Sequence, residues 1–307
     1  MVSVSRIESN PKPPFRLFAL TVLAMLAFAG NSLLCRAALD HTRIDAASFT
    51  TIRLLSGALA LWIIVRLRMP AVAGAGNWRS AFALFAYAAG FSFAYVNLPA
   101  ATGALLLFGA VQATMIGYGL WRGERLTLLQ WLGLLLALLG LVVLLLPGLS
   151  TPPLHSAGLM LCAGAAWGAY SLRGKGAGDP TRVTAGNFLR AIPFSIVLSV
   201  LMSSTASIDT AGVGYAVASG ALTSGLGYAI WYTALPALKA TQAATVQLSV
   251  PLIAALGAVL LLGETMTLRL LLASVAIIGG IALVIARRPS RTSSGLDLVP
   301  TERDAER

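Results

Sequence analysis

The sequence predicts an all-α membrane protein, ten transmembrane helices forming two inverted five-helix repeats around a central cavity. Three observations carry this expectation. Of 307 residues, 57% are hydrophobic and only 11% are charged, whereas a soluble domain carries roughly 25% charged residues. Apolar runs of about 17–25 residues, the length that crosses a bilayer as a helix, fill the chain almost end to end. Finally, the stretch GERLTLLQWLGLLLALLGLVVLL from Gly123 returns from Gly263 as GETMTLRLLLASVAIIGGIALVI.

The apolar runs are 16–37, 46–66, 80–98, 101–121, 128–147, 154–172, 183–203, 211–234, 241–262 and 268–286, with Pro, Ser and charge gathered in the linkers. The first run contains Asn31 and Ser32, and the second contains Arg53. In the third, Tyr87, Phe91 and Tyr95 recur at every fourth position, a stripe along one helical face. The fourth carries Gln112, Thr114 and Tyr118. The fifth is almost purely aliphatic, which suits lipid or a structural brace. The sixth brings Trp167, Tyr170 and Ser171, and the seventh Arg190. The eighth holds Thr223, Ser224, Tyr228, Trp231 and Tyr232; the ninth holds Gln242, Thr245, Gln247, Ser249 and the helix-bending Pro251. The tenth is aliphatic again.

Polar side chains are costly in hydrocarbon, so these are expected to face one another or a water-filled cavity. The expected lining is Asn31, Tyr87, Phe91, Tyr95, Gln112, Tyr118, Trp167, Tyr170, Tyr228, Trp231, Tyr232 and Gln247. Near helix ends, Tyr95, Trp231 and Tyr232 equally suit an interfacial belt. Gly164 and Gly168, four residues apart, suit close helix packing.

A net charge of +11 would suggest nucleic acid in a soluble protein; here its distribution gives another cause. With the N-terminus inside, seventeen Lys and Arg fall on the inner side and three, Arg36, Arg43 and Arg269, on the outer. The positive-inside rule then places both termini in the cytoplasm. Ten spans agree with that parity. The first run has a counterpart later in the chain, so it is expected to be retained rather than cleaved as a signal.

The repeat extends beyond the two Gly-Glu pairs. Tyr95-to-Pro99, YVNLP, is answered by Tyr232-to-Pro236, YTALP, at an offset of 137, and Arg53 by Arg190 at the same offset. Gly30 matches Gly168, Gly117 matches Gly257, and Gly140 matches Gly280, whereas Pro251 is answered by Val111. The expected units are a cytoplasmic segment 1–15, repeats 16–148 and 149–287, and a polar cytoplasmic tail 288–307. Five spans per repeat invert the second half, which puts Glu124 at the cytoplasmic side and Glu264 outside. Inverted repeats place a solute site near the midplane where the halves meet.

Arg53 and Arg190 are intramembrane charges and functional-site candidates. They suit either carboxylate attraction at the two mouths or pairing with helix-end carbonyls. Glu124 and Glu264 suit a corner at a helix start or a gate contact with an arginine, and Thr127 with Gln130 reads as a capping box. All eleven carboxylates lie outside the spans or at their edges, which favours facilitated export over carboxylate-based proton antiport. Cys35 and Cys162 read as buried free thiols, and no metal or other cofactor is expected. A phosphate-binding G-x-x-x-x-G-K-[ST] stretch is absent. His41 and His155 fall in or beside external loops, out of reach of an intramembrane serine, so a membrane-embedded enzyme is disfavoured. The expected partners are a small-molecule substrate and lipid, not nucleic acid, and a monomer suffices to enclose a cavity.

These features resemble the ten-helix EamA-type exporters of the drug/metabolite transporter superfamily. The resemblance rests on the two Tyr-to-Pro segments entering spans four and nine, on Pro251, and on the Gly-Glu pairs before spans five and ten. The chain is also similar to the bacterial amino-acid exporter branch, the aromatic amino-acid exporters included. The resemblance implies export of amino acids or related metabolites by alternating access, with a proton-coupled drug or metabolite antiporter as the alternative. Val111 departs from the helix-bending proline of that family.

Overall fold

The computed structural model describes residues 14–67, 76–123, 125–145, 152–174, 179–237, 246–247 and 249–285. Each apolar run forms a helix, several of them started by a capping side chain. The helices are α1 (Pro14–His41), α2 (Ala46–Leu67), α3 (Trp78–Tyr95), α4 (Ala100–Trp121), α5 (Leu128–Leu145), α6 (Leu154–Arg173) and α7 (Pro180–Leu201), then α8 (210–234), α9 (Ser249–Leu262) and α10 (Leu268–Ile285). There is no strand among the described residues. Four helices, Phe15–His41, Ala46–Leu67, Ala100–Trp121 and Thr181–Leu201, are long and apolar enough to cross a membrane.

Local chemistry sets the boundaries. The Asn77 carboxamide accepts from Ser80 N and starts α3 ahead of the expected residue 80; the helix stops at Tyr95 rather than 98. Asp179 accepts from Arg182 N with Pro180 as the first helical residue, so α7 also begins before residue 183. Proline there loses no intrahelical bond. Thr127 and Gln130 form the expected reciprocal cap on α5, and Thr267 Oγ1 accepts from Leu270 N at the start of α10. The glycines of both Gly-Glu pairs sit at positive φ, +90° for Gly123 and +66° for Gly263, a conformation that glycine adopts without steric cost. The repeated Gly and Thr are therefore the stop and start signals of consecutive helices.

Helix α8 changes pitch midway. Thr210–Ala218 and Gly227–Ala234 are α-helical, and Ser219–Leu226 between them is a π-helix. The widened turn lies where α8 crosses α2, and contact there is close. A Cβ at Gly220 would collide with Ser56 Oγ and the Arg53 carbonyl, and one at Gly164 of α6 would lie 2.5 Å from the Leu107 carbonyl of α4.

In the bundle α5 lies along α10, α6 packs on α3 and α4, and α2 packs on α7 and α8. Helix α1 packs on α8 and α9, and α3 also touches α7. Outward faces of α5 and α10 expose Leu132, Leu135, Leu139, Leu272 and Val275, the surface expected of bracing helices in lipid. Cys35 is buried, but Cys162 is exposed, which corrects the expectation of two buried thiols: its neighbour Ala163 takes the inward position on α6.

At one end of the bundle, Asp45 ties two linkers. Its backbone N–H donates to the Ser207 carbonyl at 2.9 Å, and its carboxylate accepts from Ala47, Ser48 and Ser207 amides. Partial burial raises the carboxyl pKa, but these hydrogen bonds outweigh it and hold the group below the ordinary aspartate value. The opposite end is joined by Asn77 N–H donating to Asn187 Oδ1 and by Arg173 Nε donating to Ser80 Oγ.

Candidate functional site

The interior of α1 presents Phe28, Asn31 and Cys35 on one face, spaced i, i+3, i+7. Around it, α2, α3, α6 and α8 bring Arg53, Tyr87, Trp167 and Tyr228, all buried. Arg53, 1% exposed, donates from Nη2 to the Tyr87 hydroxyl at 3.0 Å and from Nε to Ser224 Oγ at 3.2 Å. Asn31 Nδ2 donates to the same hydroxyl at 3.1 Å. Asn31 Oδ1 accepts from Ser219 Oγ at 2.7 Å, with Thr223 Oγ1 3.3 Å away. One hydrogen-bonded chain thus links α1, α2, α3 and α8. The π-helical turn supports it, because a wider helix lets Ser219, Thr223 and Ser224 all reach toward α1 and α2; π segments recur at functional sites.

Aromatic rings wall this cluster. The Arg53 guanidinium lies 5.2 Å from the Tyr87 ring centre and 4.9 Å from that of Phe91, within cation–π range. Trp167 packs against Tyr87 at 4.8 Å and Tyr228 at 5.0 Å, and Phe28 meets Trp167, Tyr228 and Trp231 edge-on. Between them lies a void of about 10 Å³, touched by Phe28, Asn31, Tyr87, Phe91, Leu107, Phe108, Trp167, Thr223 and Tyr228. That is room for about one water molecule. The arrangement is occluded.

The other expected lining residues are distributed as follows. Tyr95 is buried next to Phe91, and its hydroxyl donates to the Ala100 carbonyl at 3.3 Å. Tyr170 and Tyr232 touch a second void of about 10 Å³ with Ser80, Arg173, Thr184 and Asn187. Gln112 is buried and its Nε2 has no hydrogen-bond partner. Gln247 is half-buried in the short helical piece 246–247, and Pro251 is buried in the first turn of α9; Gln242 and Thr245 lie outside the described residues. Tyr118 stands apart from these. It is 41% exposed at the last turn of α4, stacked near Trp121 with Arg122 over its ring, as amphipathic rings are at a membrane interface.

The charged candidates diverge. Arg53 is in the interior, but Arg190 is half-buried and donates to the Gly186 carbonyl of its own helix at 3.0 Å. The mirrored pair in the sequence does not become a mirrored pair of environments. Glu264 accepts the Ala100 amide on both carboxylate oxygens, and Arg36 Nε lies 3.6 Å from it. Arg36 also donates to the Tyr95 and Val96 carbonyls and pairs with Asp40 at 3.0 Å. Beside this latch is a cavity of about 530 Å³ touched by Asn97, Pro99, Thr102, Glu264 and Thr267. Glu124 lies outside the described residues. Phe28, Ser219 and Asn187 were not among the residues expected from sequence; the spacing of Phe28 from Asn31 is the signal that would have found it. Among the described residues no group of His, Cys, Asp and Glu could hold a metal.

Residues 155–286 match the EamA-like transporter family. An uncharacterized protein of Pseudomonas aeruginosa is 60% identical over 282 residues, spanning 92% of this chain and 98% of its own. The threonine/homoserine exporter RhtA of Salmonella typhimurium is 33% identical over 168 residues, 52% of this chain and 57% of that exporter. A solved crystal structure superposes with a TM-score of 0.62 at 20% identity, covering 89% of this chain and 98% of its own. At that identity the likeness speaks for the fold alone.

Proposed function

Because this chain belongs to the EamA-like transporter family, a family of integral membrane proteins, we propose that it is a secondary carrier exporting amino acids or related small metabolites. Export crosses the bacterial inner membrane by alternating access. The observation that carries this reading is the hydrogen-bonded chain from Arg53 through Tyr87 and Asn31 to Ser219, buried behind aromatic rings. Polar and charged groups inside a bundle of membrane helices are costly and by default mark a solute path. The threonine/homoserine specificity in the name of the RhtA relative supports an amino-acid-like solute.

Helix pairing supports two inverted halves, 16–148 and 149–287. Exchanging each helix for the one five later turns α3–α6 into α8–α1, α4–α6 into α9–α1 and α3–α7 into α8–α2, and all these pairs pack. The pairs α2–α7 and α5–α10 exchange into themselves. With both termini cytoplasmic, the Arg36 end is external, and the Glu264–Ala100 contact closes it. The carboxylates among the described residues, Asp40, Asp45, Asp179, Asp209 and Glu264, all sit in linkers or at helix ends, which supports facilitated transport over a proton antiport.

The test is counterflow of labelled Phe, Tyr, Trp, Thr, Met, Lys and Glu into proteoliposomes preloaded with unlabelled solute, with and without a pH gradient. Saturable counterflow indifferent to the gradient is expected. Accumulation driven by the gradient would replace the facilitated mechanism with proton antiport, and a panel on which nothing moves would sink the amino-acid reading.

A further inference from the structure

Donors outnumber acceptors in the buried cluster. Asn31 Oδ1 accepts from Ser219 Oγ at 2.7 Å, while the single Thr223 hydroxyl proton lies on the Ser219 carbonyl at 2.7 Å, with Asn31 Oδ1 3.3 Å away. The Tyr87 hydroxyl oxygen accepts from both Arg53 and Asn31, which uses its acceptor capacity and leaves its proton to be donated elsewhere. Arg53 Nη1 is buried with no hydrogen-bond partner. An arginine cannot shed its proton inside a protein, and the Tyr87 and Phe91 faces offset only part of its charge. Among the described residues every carboxylate is in a linker or at a helix end. The interior therefore has a fixed cation, two donors awaiting acceptors, and no fixed anion.

We propose that the solute supplies the missing anion. The site takes a small carboxylate with an apolar, ring-sized body, its oxygens on Arg53 Nη1 and the Tyr87 hydroxyl, and it ranks anions above zwitterions and zwitterions above cations. This rests on the carrier reading above and narrows its solute class. A solute ammonium meets the Arg53 charge as a like charge, and uncompensated like charges discriminate strongly against a partner. The apolar body goes among Phe28, Trp167 and Tyr228, whose rings must part to admit it, since the void they share with Tyr87 has room for about one water molecule. Bound carboxylate cancels the buried charge, so an anion-loaded carrier has none at this site whereas the empty carrier has one.

The test uses the purified full chain and three ligands that share a phenyl ring and chain: 3-phenylpropionate (anion), phenylalanine (zwitterion) and phenethylamine (cation). Binding is read as quenching of tryptophan fluorescence, since Trp167 and Trp231 adjoin the site. The expected order of affinity is phenylpropionate, phenylalanine, phenethylamine. In Arg53→Gln the anion should bind about 10- to 100-fold more weakly, the range for one charge-assisted hydrogen bond, while the cation does not weaken. Arg53→Lys should keep the order at reduced affinity, and it serves, with the wild-type order, should Arg53→Gln not fold. Phenethylamine binding as tightly as phenylpropionate overturns the proposal, as does unchanged anion affinity in folded Arg53 variants or binding of none of the three. The expected order without any counterflow leaves the proposal standing and overturns the carrier reading instead.

Discussion

Both carboxylate oxygens of Glu264 accept the backbone amide of Ala100, at 2.8 and 2.9 Å, so a linker residue near the end of the chain caps a helix in its first half. The negative charge sits at the positive end of the α4 dipole, with Arg36 Nε 3.6 Å away. Replacing Glu264 by Ala should lower stability by about 1–2 kcal/mol, the range for loss of an N-terminal cap. Glu264→Gln should cost less, because its carbonyl still accepts. Thermal unfolding in detergent measures both, and equal midpoints for wild type and Glu264→Ala would refute the latch.

Tyr87→Phe removes one oxygen and leaves two buried donors, Arg53 Nη2 and Asn31 Nδ2, without their acceptor. Each such orphan costs about 1–3 kcal/mol, so the unfolding midpoint should fall clearly. Tyr95→Phe loses only one long bond to the Ala100 carbonyl, 3.3 Å, and should fall less. A reversed ranking of the two variants would contradict the cluster geometry.

Gly220→Ala places a methyl group against Ser56 Oγ and the backbone of Arg53. Backbone cannot swing aside, so overpacking of about 1–3 kcal/mol is expected, with loss of transport as α2 and α8 separate. Gly214→Ala, on the same helix with nothing within 4 Å, should be neutral or mildly stabilising, since alanine favours helix over glycine. Expression level and unfolding midpoint of the pair decide it.

Asp45 titrates below the ordinary aspartate range because hydrogen bonds from Ser48, Ser207 and Ala47 outweigh its burial. A depressed folded pKa means that its stabilisation is fully present above the unfolded value, about 3.9, and is lost as pH falls through the folded value. Wild type should therefore lose stability as pH falls below about 5, and Asp45→Asn should lose less over the same interval. Identical acid slopes in the two proteins would remove Asp45 from the account.

Much of the fold was legible because hydropathy runs and caps are local. The capping box read at Thr127 and Gln130 is present, whereas the positive φ of Gly123 and Gly263 and the cap at Thr267 were not read from the repeat. The early start of α7 was written in Asp179-Pro180. What the sequence did not disclose is which way a helix faces. In a bilayer the outer surface is as apolar as the interior, so composition did not separate Tyr118, on the outside, from Tyr87, within. Nor did a matched offset of 137 reveal that Arg53 has hydroxyls across the bundle to reach while Arg190 bonds its own turn. The π turn was equally hidden, because the packing of α2 against Ser219–Leu226 is a long-range contact.

The void between the rings has room for about one water molecule, so nothing larger enters among them unless the surrounding helices part. Throughput is then set by how often the helices part, a collective movement on the order of microseconds to milliseconds, rather than by diffusion along an open pore.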